Sequence, residues 1–210
     1  MTGSRARVDH GVTSGTFTLD GETFEVDNNV WVVGDDEECV VIDAPHSVDD
    51  ILAVVGERRV KAILCTHAHD DHVRVAPQLR EHVVAPVMLH PDDRPLWELT
   101  HTDHLWDVDL ADGFEISVGG TTLTAIHTPG HAPGAVCFHA PDLGCVFTGD
   151  TLFQGGPGAT GRSFSDEHVI RRSIRDRLLT LPDDTVVHTG HGADTTIGAE
   201  RAGGAGEPGD

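Results

Sequence analysis

Short runs in which apolar and polar positions alternate recur along the chain, the pattern of half-buried β-strands. Thr16-Phe17-Thr18-Leu19 and Thr23-Phe24-Glu25-Val26 flank Asp20-Gly21, a pair suited to the left-handed positions of a type I′ hairpin. Val30-Trp31-Val32-Val33 and Cys39-Val40-Val41-Ile42 follow as strands around an acidic turn. Asp43 closes the second of these, and Ser47 is placed to cap a helix running to about Gly56. Residues 60–65 form the next predicted strand, and an amphipathic helix is expected over about 72–82. Residues 83–89 are again strand-like, and a polar, histidine-containing connection continues to about residue 109.

The second half returns to strands. Residues 114–118 and 122–127 are joined by Gly119-Gly120, and residues 135–139 and 145–148 surround Pro141-Asp142-Leu143-Gly144. A glycine-rich loop over 155–161 leads into a helix expected at about 166–180, and Val186-Val187-His188 is the last predicted strand. Residues 198–210 are Gly-rich and polar, which predicts a disordered tail behind a single domain over 1–197. Antiparallel meanders punctuated by helices in each half predict an α/β protein with sheets at the centre and helices outside.

At 210 residues the chain can bury a core without disulfide staples. Its 14 basic and 35 acidic residues give a formal net charge of -21, the reverse of the footprint that nucleic acid or an anionic membrane requires. Neither is expected as a partner. The start, Met1 to His10, lacks the apolar core of a signal peptide, and no run is long enough to span a bilayer. Cys39, Cys65, Cys137 and Cys145 sit in apolar, strand-like runs with no CxxC pair, so buried free thiols and a cytoplasmic location are expected.

The chemistry concentrates in Thr66-His67-Ala68-His69-Asp70-Asp71-His72, directly after a predicted strand. Neutral imidazoles and a carboxylate suit zinc, iron or manganese. In an extended segment His67 and His69 share a face with Asp71, and a turn into helix swings His72 onto a neighbouring direction, giving two adjacent half-sites. Further ligand candidates stand at strand ends: His131 after Thr128-Pro129-Gly130, Asp150 after Gly149, and His191 in Thr189-Gly190-His191-Gly192. A charge at Asp150 is costly there unless paired or metal-bound.

In that order, and over nearly the whole chain, these motifs resemble those of the metallo-β-lactamase-fold hydrolases, above all the short, single-domain form of the glyoxalase II-like branch. The resemblance implies a four-layer αββα sandwich with the site at one edge of two sheets. It implies that His67, His69 and His131 hold one ion, that Asp71, His72 and His191 hold a second, and that Asp150 bridges them. Two divalent ions are expected, zinc first, with iron or manganese as alternatives. Lactamases of the classical zinc type carry a cysteine where this chain has Asp150, which disfavours antibiotic hydrolysis.

Two such ions about 3.5 Å apart drive formation of hydroxide from a shared water near neutral pH, with Asp71 and Asp150 as catalytic carboxylates. A thiolate, with a pKa near 8.5, departs without strong proton donation. Hydrolysis of a small-molecule thioester, an S-acyl conjugate of a low-molecular-weight thiol, is therefore the expected reaction. The full-length glyoxalase II enzymes grip glutathione through a C-terminal helical domain, tyrosine and basic side chains; this chain ends soon after His191 and contains no tyrosine. A less charged carrier thiol, such as mycothiol, fits its acidity at least as well. The alternatives are a persulfide dioxygenase with one iron on His67, His131 and Asp150, and a lactone hydrolase, in which a tyrosine usually assists. Asp43, Thr66, the loop 155–158 and Arg162 are weaker site candidates, whereas His101, His104, His127 and His188 read as structural. The sequence sets no oligomeric state.

Overall fold

The central strands are buried continuously, so both sheets carry apolar side chains on both faces. The computed structural model describes residues 5–207. Its first sheet runs in chain order: β1 (Arg7–Leu19), β2 (Glu22–Gly34), β3 (Glu38–Ile42), β4 (Arg59–Leu64), β5 (Val87–Leu89) and β6 (Val108–Asp109). β1 to β3 are antiparallel as expected, but β3 to β6 are parallel rather than a meander, because a helical crossover returns the chain to the same end before each new strand. The parallel crossovers are α1 (Val48–Val55), then α2 (Asp70–Val73) with α3 (Ala76–Val83), then α4 (Arg94–Thr100). The second sheet contains β7 (Glu115–Val118), β8 (Thr121–His127), β9 (Val136–Ala140) and β10 (Cys145–Gly149). A small hairpin follows, β11 (Leu152–Phe153) with β12 (Gly156–Pro157), and then α5 (Glu167–Ser173). β13 (Val186–Thr189) and β14 (Thr195–Thr196) complete the second sheet, in the order β14-β13-β10-β9-β8-β7, ahead of α6 (Ile197–Ala202).

Three apolar layers hold these elements together. Val30, Val32 and Ile63 face Ile51, Leu79 and Trp97 of the first helical layer. Their neighbours Trp31, Val33 and Leu64 point the other way, against Phe138 and Phe147 of the second sheet. Cys137, Val146 and Val187 turn outward onto Ile170, Ile174, Leu178 and Ile197. The result is helix, sheet, sheet, helix, the four-layer αββα sandwich.

Several boundaries differ from expectation, each for a local reason. The helix expected over 72–82 is two helices, because Pro77 in a continuous helix would clash with the carbonyl of Val73. Val83 and Val84 belong to the end of α3, with Val84 left-handed, so the strand begins only at Val87. The connection expected to be irregular contains α4, which buries Leu96 and Trp97. The helix expected at 166–180 shifts to a π-helical turn at Ile174–Leu178. The tail does not become disordered at residue 198: Thr196 caps α6 by accepting the amide of Ala199, and Ile197 and Glu200 are buried. Residues 1–4 of the expected start and 208–210 of the expected tail lie outside the described residues. The hairpin at Asp20-Gly21, with both φ positive, and the Ser47 cap are as expected.

Candidate metal centre

Strand direction gathers the candidate ligands. β3 and β4 are parallel, as are β10 and β13, so their C-terminal ends open on one edge of the sandwich. β8 is antiparallel to β9 and β9 to β10, so the chain leaving β8 reaches the same edge. The loops after β4, β8, β10 and β13 carry residues 66–72, His131, Asp150 and His191 respectively.

All seven predicted ligands meet there. His69 Nδ1 lies 3.0 Å from both His67 Nε2 and His131 Nε2. On the other side, His191 Nε2 is 3.2 Å from His72 Nε2 and 3.3 Å from Asp71 Oδ2. Asp150 reaches both groups: Oδ2 is 3.6 Å from His131 Nε2 and 3.5 Å from His191 Nε2, and Oδ1 is 3.3 Å from His72 Nε2. Gly190 makes room for this, since a Cβ would stand 2.3 Å from Asp150 Oδ1 and 2.8 Å from the His72 ring.

The outward-facing nitrogens decide the protonation of the inward-facing ones. Thr66 Oγ1 gives its one proton to Asp43 Oδ2 at 2.8 Å, so it accepts from His67 Nδ1 at 3.0 Å. His72 Nδ1 donates to Asp43 Oδ2 at 2.8 Å, His131 Nδ1 to Ala159 O at 2.8 Å and His191 Nδ1 to Asp27 O at 2.7 Å. In their neutral forms all four therefore turn an Nε2 lone pair inward. Lone pairs and carboxylate oxygens converging at these distances repel one another unless a cation or protons stand between them. Their spacing matches the edge of a tetrahedron with metal–nitrogen bonds of about 2.0–2.1 Å, roughly 3.3 Å. Asp150 Oδ1, buried and without a hydrogen-bond partner, is the oxygen such a cation would satisfy. The donor set fits divalent metal ions.

Electrostatics separate the two halves. Burial holds His67 well below its ordinary value, His69 at about 3 and His131 low, so this triad is neutral. Burial also opposes charge on His72 and His191, but Asp71 and Asp150 outweigh it, raising His72 strongly and His191 to about 10. Burial pushes Asp71 and Asp150 up, and the same histidines overcome it, leaving Asp71 at about 2 and Asp150 well below its usual range. Without metal, protons on His72 and His191 balance the acids.

Among the weaker candidates, Asp43 and Thr66 both join the support. Asp43, at φ 64, also accepts the amide of Thr66 at 2.7 Å. Arg162 borders the cleft but is engaged: it pairs with Glu22 at 2.8 Å and lies 4.7 Å from the Phe24 ring. The cleft is lined by Ala159, Ser163 and Ser165 rather than by the loop 155–158, with Phe17, Phe24 and Val26 as its apolar wall and a volume of about 450 Å³. His101 donates to Val73 O, His127 to Pro133 O, and His188 pairs with Asp194, all away from the centre; the His104 carbonyl accepts from Trp97.

Sequence reading missed Asn28, His46 and Asp93. Asn28 is buried, donates to Asp71 Oδ2 at 3.0 Å, and is oriented by His46 Nε2, 2.8 Å from its Oδ1. The signal was the polar pair Asn28-Asn29 entering an apolar strand.

A family model described as the metallo-beta-lactamase superfamily matches residues 23–191. A probable metallo-hydrolase, YqgX of Bacillus subtilis, is 33% identical over 192 residues, 82% of this chain and 89% of its own length. Hydroxyacylglutathione hydrolase GloC of Haemophilus influenzae is 32% identical over 189 residues, 82% of this chain and 89% of its own. Among solved structures, BLEG-1 B3 metallo-beta-lactamase has a TM-score of 0.77 at 28% identity, covering 90% of this chain and 97% of that one. TTHA1623 in a di-iron-bound form has a TM-score of 0.74 at 34% identity, covering 90% and 96%.

Proposed function

The chain belongs to the metallo-beta-lactamase superfamily, and from that membership we propose a dinuclear-metal thioesterase of the hydroxyacylglutathione hydrolase type. It adds water to an S-acyl conjugate of a low-molecular-weight thiol and releases a carboxylic acid and the thiol. One observation carries this reading: seven donors in two adjoining groups, with Asp150 in reach of both.

His67, His69 and His131 would hold one ion and Asp71, His72 and His191 the other, shared through Asp150. Zinc is the first candidate, with iron and manganese the alternatives. Bound there, the ions supply Lewis acidity and lower the pKa of water. The chain's own residues do the rest. Asn28 fixes Asp71 from one side, leaving its carboxylate to orient the attacking water beside Asp150, while the proton that the water gives up passes to solvent. Asp43 and Thr66 lock His67 and His72 in the tautomers that face the centre. Phe17, Phe24 and Val26 give an apolar wall for the acyl-thiol and keep bulk water from one side of the cleft.

A thioester suits this equipment because its leaving thiolate needs little protonation. The Haemophilus relative, named for a thioester reaction, supports the same choice. The partner is a small molecule; a net charge of -21 speaks against nucleic acid or an anionic membrane. No helix among the described residues is long and apolar enough to cross a membrane, and four buried free cysteines suit a reducing cytoplasm.

The test offers purified protein a panel of acyl-thiols under nitrogen and, separately, a persulfide with dissolved oxygen. Thiol release without oxygen is expected. Oxygen uptake with the persulfide and no thiol release from any thioester would replace the hydrolase with the dioxygenase reading.

A further inference from the structure

Asp93 is not among the donors, yet it ties together the two loops that carry the histidine triad. It ends the short turn Pro91–Asp93 ahead of α4 and is fully buried. Its Oδ2 accepts the amide of Ala68 at 2.7 Å, the residue between His67 and His69. Its Oδ1 accepts the amide of Gly134 at 2.5 Å, in the turn that carries His131. The first loop leaves β4 of one sheet and the second leaves β8 of the other. One carboxylate therefore spans the gap between the sheets at the level of the ligands.

The approach at Gly134 admits no side chain. A Cβ there would stand 2.8 Å from the backbone nitrogen of Asp93 and 2.9 Å from its Oδ1. Burying a carboxyl at this depth is costly, and burial pushes Asp93 up to about 7 against the pull of the two amides. A costly acid whose two oxygens take one amide from each ligand loop has a spacing role that simple packing does not require.

We infer that Asp93 is a positioning residue for the metal centre, setting His67 and His69 at ion-binding distance from His131. It binds no metal and touches no substrate. The inference rests on the reading of those three histidines as ion ligands.

Metal-stripped wild type, Asp93→Asn and Gly134→Ala are titrated with zinc, with far-UV circular dichroism to follow the fold. Nitrogen-15 shifts of the histidine rings report which half fills. Asp93→Asn turns an amide N–H₂ toward one of the two backbone N–H groups; Gly134→Ala keeps the carboxylate and drives a methyl into it. In each, zinc affinity at the triad is expected to fall about tenfold or more, the usual scale for losing a ligand's outer partner. Affinity at Asp71, His72 and His191 stays unchanged. If one variant does not fold, the other decides. Unchanged triad affinity, equal loss at both halves, or loss of fold in both variants overturns the inference. A wild type that takes up no zinc sinks the ligand reading along with it; a wild type that takes up two, with unaffected variants, sinks the inference alone.

Discussion

His72 and His191 face carboxylates at 3.3–3.6 Å, and that crowding makes protons and cations rivals for the same space. Both have folded-state pKa values above the unfolded value of about 6.5, His191 at about 10. Their contribution to stability is complete below about pH 6.5 and is lost as pH rises through the folded values. Metal-free protein is therefore expected to melt at progressively lower temperature from pH 7 to pH 10, and metal-loaded protein to lose much less. A flat or rising melting temperature for the metal-free form over that range would count against the electrostatics described. The convergence of these seven side chains was legible because they follow recognisable strands, four of them in one short motif. Asn28, His46 and Asp93 were not, since a buried polar side chain shows its purpose only through partners distant in sequence, such as Asp71 for Asn28.

At the scale of elements, the β1–β2 hairpin and the loop 159–165 both border the cleft and meet each other. Arg162 joins them through Glu22, and the amide of Ser163 donates to Asp20 Oδ2 at 2.9 Å. Phe24, 40% exposed, has apolar surface left to bury against a substrate. Phe24→Ala should raise KM for acyl-thiols about fivefold, corresponding to about 1 kcal/mol of lost apolar contact, with kcat and metal content little changed. Steady-state kinetics separates these; a fall in kcat at constant KM would mean that the hairpin serves the chemistry instead. The hairpin turn was readable from Asp20-Gly21, whereas its meeting with residues 162 and 163, more than a hundred positions away, leaves no local pattern. Local pattern also misjudged the region 70–109, where Pro77 splits a helix and the burial of Leu96 and Trp97 creates another.

Across the whole molecule, alternation along the strands was enough to foresee sheets inside and helices outside, and the motif order led to the four layers. The last helix escaped, because its Gly-rich surroundings hid two anchors: Ile197 in the outer core and Glu200, which accepts the amide of Gly155. The cysteines are distributed through these layers, all free and buried. Burial raises Cys39 and Cys137 to about 11, Cys145 to about 12, and Cys65 well above its ordinary value. A thiol reagent at pH 8 should leave the folded protein unmodified and label all four cysteines once it is unfolded; rapid labelling of the native form would contradict the packing described. The same layers bring the seven candidate donors to one edge, where the proposed function places a two-ion centre shared through Asp150. Elemental analysis of freshly purified protein, beside Asp150→Asn, tests that claim most directly. Close to two divalent ions per chain are predicted, with one or both lost in the variant; a single ion per chain, retained undiminished by Asp150→Asn, would contradict it.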